Sequence, residues 1–246
     1  MKGIWQQYDL GKYLRQRYDG FFPRKYVASE IAVRSSSYNR AIMSALTTMA
    51  GLFEPEGDQI WNKNVNWQPV SVQVIPKADD PLLYTSRSCP AAEKLWEDYK
   101  KNSLELRRVE QQYSTLLKYL EEKSGFNRSL SLYKDVVRIF DSLNCEHDTT
   151  LSALFNNLGA PQNRNPPYAA MLMIELHQVG DQYFVEVYYR NDSAHAAHII
   201  NVGECPGPCS LHQFGIRSDS RIPKNWYKEC GFDDCSNKHT ESGDNS

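Results

Sequence analysis

The dipeptide His147-Asp148 combines two side chains that could do chemistry, and it stands directly before a segment with helical periodicity. Backbone N–H groups at a helix N-terminus bind anions. A neighbouring imidazole can donate to a phosphate, and a neighbouring carboxylic acid can protonate a leaving group. The pair is therefore compatible with a phosphate-handling site. The alternative is a His-Asp pair that caps the helix on a solvated loop, and a dipeptide alone does not separate the two.

A second candidate is Arg34, at the end of a short strand predicted over residues 29–34 and directly before three serines. An arginine in that position suits a bidentate contact to phosphate, although surface arginines without a ligand are common. His195 and His198 form an H-x-x-H pattern in a loop with no glutamate between them. This pattern indicates no metal site, and we expect no metal and no cofactor anywhere in the chain.

The remaining hydrophobic periodicity predicts the elements that must position these residues. A second strand is expected over residues 67–75 and a β-hairpin over residues 171–191. Thr149 or Thr150 is expected to N-cap the helix after His147-Asp148, which runs through Leu151 to Gly159. Further helices are predicted over residues 3–18, 38–53, 91–123 and 131–143.

Composition excludes several classes of protein. The 246 residues carry 28 basic and 30 acidic side chains, a formal charge of −2, which argues against a general nucleic-acid binder. No apolar run is long enough for a transmembrane helix.

The six cysteines include no C-x-x-C pair, so a zinc ribbon is not indicated. Their even number and the glycosylation sequons at Asn127 and Asn191 are typical of a secreted, disulfide-bonded chain. The first residues nevertheless lack the apolar core of a signal peptide. Either the thiols are free in the cytosol or the true start lies upstream.

In their order along the chain, these motifs resemble the histidine acid phosphatase family, the branch that includes prostatic and lysosomal acid phosphatases. The similarity spans nearly the whole chain and comprises GIWQQYDLGKYLRQRY (3–18), VRSSSYNRAIMSA (33–45), GLFEPEG (51–57), WQPVSVQVIPKADDPLL (67–83), Cys89-Pro90, HDTTLSALFNNLG (147–159), PPYAAMLMIEL (166–176), YFVEVYYRN (183–191) and ECPGPCSL (204–211). Such collinearity is more specific than any single motif.

The resemblance implies an α/β fold of the phosphoglycerate-mutase-like type, with a central, mostly parallel sheet flanked by helices. Relatives carry a long segment before the His-Asp motif, including a core strand, whereas here Glu146 joins His147 directly. We therefore expect an incomplete single domain over residues 1–235 that lacks core strands, with a junction near 146–147. A polar, disordered tail is expected over residues 236–246.

The resemblance also implies a mechanism through a phosphohistidine. Arg34 and His147 would bind the phosphate, and Asp148 would be the general acid. The family's nucleophile lies in an Arg-His-Gly segment that occurs nowhere in the 246 residues. We therefore expect an acid phosphatase-like protein that is inactive in this form. The alternative is a non-catalytic truncated isoform, or a secreted binding or antigen-like protein.

Other family properties are implied as well. They are a phosphate monoester or inorganic phosphate as ligand, no nucleic-acid partner, a homodimer, and a secreted or lysosomal location. Two disulfides are implied, Cys89–Cys230 and Cys205–Cys209. Cys145 is left with Cys235 or with no partner, because Met171 stands where relatives have its usual cysteine.

Overall fold

The computed structural model describes residues 1–80, 82–84, 88–126, 128–136, 139, 149–205 and 208–232. These residues divide into two compact units. Unit 1 comprises the described residues of Met1–Arg87 and Asp148–Ser218, and unit 2 comprises those of Ser88–His147 and Asp219–Ser246.

Unit 1 begins with two helices that cross closely, α1 (Lys2–Arg17) and α2 (Asn39–Leu52). The crossing is built on two glycines. A Cβ on Gly11 would overlap the carbonyl oxygen of Thr48, and one on Gly51 would overlap that of Tyr8. Glycine at both positions lets the two backbones touch, which larger side chains would prevent. Both helices lie close to their predicted bounds.

Strands β1 (Arg34–Ser35) and β2 (Gln73–Val74) form a short parallel pair in which Arg34 lies opposite Gln73. Both are shorter than predicted, and β1 begins at Arg34 instead of ending there. Pro69 and Pro76 lie on either side of β2, and proline has no backbone N–H to give to a ladder. Two 3₁₀ turns, Gly57–Gln59 and Lys77–Asp79, flank this region.

The larger sheet of unit 1 is antiparallel. Its hairpin, β3 (Met171–Val179) and β4 (Gln182–Arg190), pairs over nine positions and matches the prediction. β5 (His198–Ile200) and β6 (Cys209–Ser210) also pair with β4. Helix α6 (Thr149–Asn157) already includes both threonines expected as its N-cap, and α7 (Leu211–Asp219) follows β6. The core of this layer comprises Leu158, Val185, Val187, Val202, Cys205 and Cys209.

The chain is thus mixed α/β, as expected, but the predicted strand arrangement needs a correction. Among the described residues, parallel pairing is confined to β1–β2, and the larger sheet is antiparallel. The reason is local, because a two-residue turn can join only antiparallel neighbours.

The described helices of unit 2 are α3 (Pro90–Asn102), α4 (Leu104–Gln112), α5 (Ser114–Ser124) and α8 (Trp226–Glu229). The prediction of one continuous helix over residues 91–123 was therefore wrong. Ser103 is extended and its side chain accepts from the N–H of Leu106, so that it ends α3 and caps α4. Of the helix predicted over 131–143, the structure describes a π-helical turn at Leu132–Val136. No described helix combines the length and the apolar character needed to cross a membrane.

Candidate functional site

Arg34 extends from β1 to a buried carboxylate that follows β2. Its Nη2 donates to Oδ1 of Asp80 at 2.7 Å. About a third of the Arg34 side chain is exposed, 34%, against 2% for Asp80. The guanidinium is therefore held by Asp80 while the side chain of Arg34 stays partly exposed. Arg34 was a predicted site residue and its phosphate-binding role stays a prediction, whereas Asp80 was not among the predicted site residues.

Asp80 is arranged to remain ionised. Its Oδ1 also accepts from the backbone N–H groups of Leu82 and Leu83, at 3.1 and 3.0 Å. Burial opposes ionisation, but these two N–H groups and Arg34 outweigh it and hold the pKa of Asp80 below its usual value. Its Oδ2 is buried without a hydrogen-bond partner among the described residues. The negative charge of Asp80 is thus directed at Arg34.

A second cationic group lies after β1 and β2, at the start of α2 and in the 3₁₀ turn Lys77–Asp79. The Arg40 guanidinium stands 4.3 Å from the ring centre of Tyr38, and the Lys77 ammonium stands 4.2 Å from the same ring. Hydrogen bonding to Tyr38 is the main reason that the pKa of Lys77 is raised. Among the described residues, neither cation lies within ion-pair distance of a carboxylate. We call Tyr38, Arg40 and Lys77 the Tyr38 cluster.

The Tyr38 cluster was missed by sequence reasoning. The available signal was topological, because the carboxyl ends of two parallel strands are where α/β proteins place ligand-binding loops. Helix α2 begins directly after Tyr38, and Tyr38 provides no side-chain cap. The first N–H groups of α2 therefore add positive potential next to Tyr38.

His147 and Asp148 lie outside the described residues, so the structure does not test their predicted roles. The helix that follows them is anchored on the antiparallel sheet. Phe155 is 1% exposed and meets the ring of Tyr189 edge-on at 4.6 Å. Beyond the end of α6, the N–H of Gly203 donates to the carbonyl of Leu158 at 2.9 Å. Unit 1 thus holds rigidly the element that starts at Thr149.

Two disulfides are present, Cys89–Cys230 and Cys205–Cys209, and these are the pairs that the resemblance implied. Cys145 and Cys235 lie outside the described residues, as does Asn127. Asn191 follows β4 and is exposed, as an acceptor for glycosylation must be.

The predicted absence of a metal at His195 and His198 stays a prediction. His195 Nδ1 instead lies 2.8 Å from Oδ2 of Asp192, and His198 stacks edge-on against Tyr189. Among the described residues, three side chains that could ligate one ion converge only on the β3–β4 hairpin.

Comparison with known proteins finds the family that the sequence motifs resemble. The family model described as the histidine phosphatase superfamily (branch 2) matches residues 2–146. Prostatic acid phosphatase of Rattus norvegicus is 28% identical over 301 aligned residues, which cover 93% of this chain and 78% of that protein. Lysosomal acid phosphatase of Bos taurus is 29% identical over 303 residues, with 93% and 71% covered.

Proposed function

The chain belongs to the histidine phosphatase superfamily (branch 2), and on this basis we propose that it is an acid phosphatase-like protein that binds phosphate monoesters or inorganic phosphate. The observation that carries the proposal is Arg34, whose guanidinium is held by buried Asp80 while its side chain stays partly exposed. One Nη2 contact to Asp80 leaves further N–H groups of Arg34 for the paired contact that phosphate oxygens accept.

By the family's mechanism, Arg34 and His147 would hold the phosphate oxygens and Asp148 would give the proton to the departing alkoxide. Phosphoryl transfer needs positive charge and N–H donors around the equatorial oxygens, which Arg34 and His147 would supply. It also needs a general acid next to the leaving group, which is the role of Asp148. The Tyr38 cluster lies in the segments that follow β1 and β2, and its two cations add to the attraction of a dianion.

We further propose that these 246 residues bind phosphate without turning over esters. None of the six histidines follows an arginine, so the Arg-His-Gly segment of the family's nucleophile is absent from the sequence. Without it no phosphohistidine can form by the family's route. The chain would then be a non-catalytic phosphate-binding protein. This matches the alternative of a truncated isoform or a secreted binding or antigen-like protein.

Two observations support a shortened core before His147. The alignment with the rat enzyme spans 301 positions, more than the 246 residues of this chain, so the relative contains segments without a counterpart here. Strand β3 is an edge strand among the described residues, and Ile174 and Leu176 on it are 52% and 58% exposed. Their direct neighbours across the ladder, Val187 and Val185, are buried.

A secreted or lysosomal location is part of the proposal. Disulfides persist in oxidising compartments and are rare in the cytosol, and two are present here. A homodimer is proposed from the family alone, and sedimentation of the purified chain measures it directly.

The test is to measure phosphate binding and turnover on the same preparation. Purified chain is titrated with inorganic phosphate by calorimetry, and hydrolysis of a chromogenic phosphate ester is followed at about pH 5. Arg34→Ala should abolish binding, whereas Arg24→Ala should not, because Arg24 is a largely exposed surface cation. The proposed lack of turnover is wrong if the chain hydrolyses the ester at an enzymatic rate, about 1–10³ per second, and the Asp148→Ala variant does not. Phosphate binding unchanged in Arg34→Ala would overturn the proposed site.

A further inference from the structure

Three potential metal ligands converge on the β3–β4 hairpin. Nε2 of His177 lies 3.1 Å from Oε2 of Glu175 and 3.4 Å from Oε2 of Glu186. All three ligating atoms lie within 4.8 Å of one another. The three side chains are half-buried, so the point between them is shielded and still reachable from solvent.

The strand geometry explains why these atoms meet. Glu175 and His177 are two residues apart on β3 and therefore share a face, and Glu186 on β4 lies directly opposite Glu175. Like charges directly across an antiparallel ladder destabilise it. A positive charge between Glu175 and Glu186 would remove that repulsion.

Of the two carboxylates, only Glu175 forms an ion pair with an arginine or lysine among the described residues. Arg17 donates through Nε to Oε1 of Glu175 at 2.9 Å, and the Tyr18 hydroxyl donates to the same oxygen at 2.6 Å. Burial alone would raise the pKa of Glu175, but the hydrogen bonds from Tyr18 and Arg17 outweigh it, and this pKa lies below its usual value. Oε2 of Glu175 stays directed at His177.

Glu186 has no arginine or lysine within ion-pair distance among the described residues. Its Oε2 accepts from the Tyr188 hydroxyl at 2.6 Å. Tyr188 is also covered by Arg17, 4.3 Å from its ring centre. Partners of this kind fix the orientation of metal ligands from outside the coordination sphere.

We propose that Glu175, His177 and Glu186 form a binding site for a divalent transition-metal ion, Zn²⁺ in particular. Zn²⁺ takes imidazole nitrogen and carboxylate oxygen at about 2.0–2.2 Å in a tetrahedron, whose ligand atoms then lie about 3.3–3.6 Å apart. The 3.4 Å separation falls in this range and the 3.1 Å separation just below it. Three protein ligands leave the fourth position for water or a second ligand.

The charge of the surroundings suits a divalent cation. Two carboxylates, a neutral imidazole and Arg17 sum to one negative charge, and the tyrosines that face the site from α1 and β4, Tyr18 and Tyr188, are neutral. Metal ligands bind in their deprotonated forms. Binding should therefore weaken as the pH falls, and the site contains no residue of the proposed phosphate site.

The test uses the full chain with its disulfides intact and any free thiols alkylated. Zn²⁺ is titrated by calorimetry at pH 7.5 and again at about pH 5. We expect one site at neutral pH, weakened at the lower pH, and a Co²⁺ adduct whose spectrum shows nitrogen and oxygen ligation without thiolate. His177→Ala and Glu186→Gln should each weaken binding by at least about tenfold, the lower end of the effect of losing an outer-shell partner.

His195→Ala is the matched control, because His195 is also a surface histidine next to a carboxylate, Asp192. It should bind Zn²⁺ as the unaltered chain does. The isosteric Glu186→Gln carries the test if His177→Ala misfolds, and circular dichroism monitors both. Absence of binding at millimolar Zn²⁺, or equal affinity in Glu186→Gln and the unaltered chain, overturns the proposal.

Discussion

At the scale of single residues, the pair of Arg34 and Asp80 couples the proposed ligand site to stability. Asp80 is buried at 1% exposure, and Arg34 is its only cationic partner among the described residues. The same contact that aims the guanidinium therefore keeps a buried charge satisfied. A substitution at either position should affect both phosphate binding and folding, and the pH dependence of stability separates the two effects.

Asp80→Asn should lower the stability of unit 1 at pH 7 by about 1–2 kcal/mol, the cost of a weakened buried hydrogen-bond network. Because the folded pKa of Asp80 is depressed, its contribution is present above the unfolded pKa of about 3.9 and is lost as the pH falls through the lower folded value. The variant should therefore lose less stability than the unaltered chain on acidification. Urea midpoints measured from pH 7 to pH 3 check this.

The control for that measurement is Asp79→Asn, because Asp79 is the preceding carboxylate and is exposed. Its profile should follow that of the unaltered chain. Parallel profiles for Asp80→Asn and the unaltered chain would contradict the role given to Asp80.

The Tyr38 cluster makes a separate prediction for phosphate affinity. Lys77→Ala removes one of the two cations on the Tyr38 ring, and should weaken phosphate binding by about tenfold, the equivalent of one charge-assisted hydrogen bond. It should also flatten the salt dependence of binding, since exposed charges are screened. Lys63→Ala, at an exposed lysine of the same unit, should change neither. Equal phosphate affinities in the Lys77→Ala and Lys63→Ala variants would show that the Tyr38 cluster does not contribute to phosphate binding.

At the scale of elements, the α1–α2 crossing fixes the position of β1 and the loop after it. Gly11 and Gly51 allow backbone contact there, and Glu54 just after α2 accepts hydrogen bonds from Tyr8 and Lys12 on α1. The bond to Glu54 raises the pKa of the Tyr8 hydroxyl to about 12. The two helices are thus locked at their closest approach and again at the end of α2.

Gly11→Ala should destabilise unit 1 by about 1–3 kcal/mol, as overpacking does, because the new methyl meets backbone that cannot rotate away. Gly3→Ala is the matched control on the same helix. A Cβ on Gly3 has nothing within 4 Å, so this change should stabilise α1 by up to about 1 kcal/mol through helix propensity. Thermal unfolding of both variants compares them, and a similar shift in both would show that the helices do not cross as described.

The elements also show what periodicity could and could not predict. The hairpin was placed correctly because one face of β4 alternates buried Val185, Val187 and Tyr189 along nine residues. The break at Ser103 escaped because a single capping serine carries little signal within a long segment predicted as one helix. Strands of two residues, such as β1, are too short to show the alternation of apolar and polar residues from which strands are predicted.

At the scale of the whole molecule, contacts between residues distant in sequence were the least predictable. In the sequence, Arg34 stood out by its strand-end position before three serines, and nothing marked Asp80 as its partner. The metal-ligand group likewise needed the hairpin register, because Glu186 is opposite Glu175 only in one pairing. Disulfide pairs came from family resemblance, since spacing alone leaves many connectivities open.

The longest covalent link in the chain makes the last prediction. Cys89–Cys230 closes a loop with a sequence separation of 141 between the start of α3 and the end of α8. Closing a loop of that length removes unfolded-state entropy worth about 5 kcal/mol. Beside it, the N–H of Ala91 donates to the carbonyl of Cys230 at 3.2 Å, so the disulfide also holds a backbone contact in place.

In the double variant Cys89→Ser/Cys230→Ser, amides of the segment 226–232 should exchange with deuterium at least about tenfold faster, because the short helix α8 loses its tether and a helix of that length is marginal alone. Amides of β4 provide the internal control, since they belong to unit 1 and their ladder on both sides is untouched. Mass spectrometry of peptic fragments resolves the two segments. Unchanged exchange over 226–232 would show that the disulfide does not hold this segment in place. Faster exchange throughout β4 would show instead that the two units unfold together.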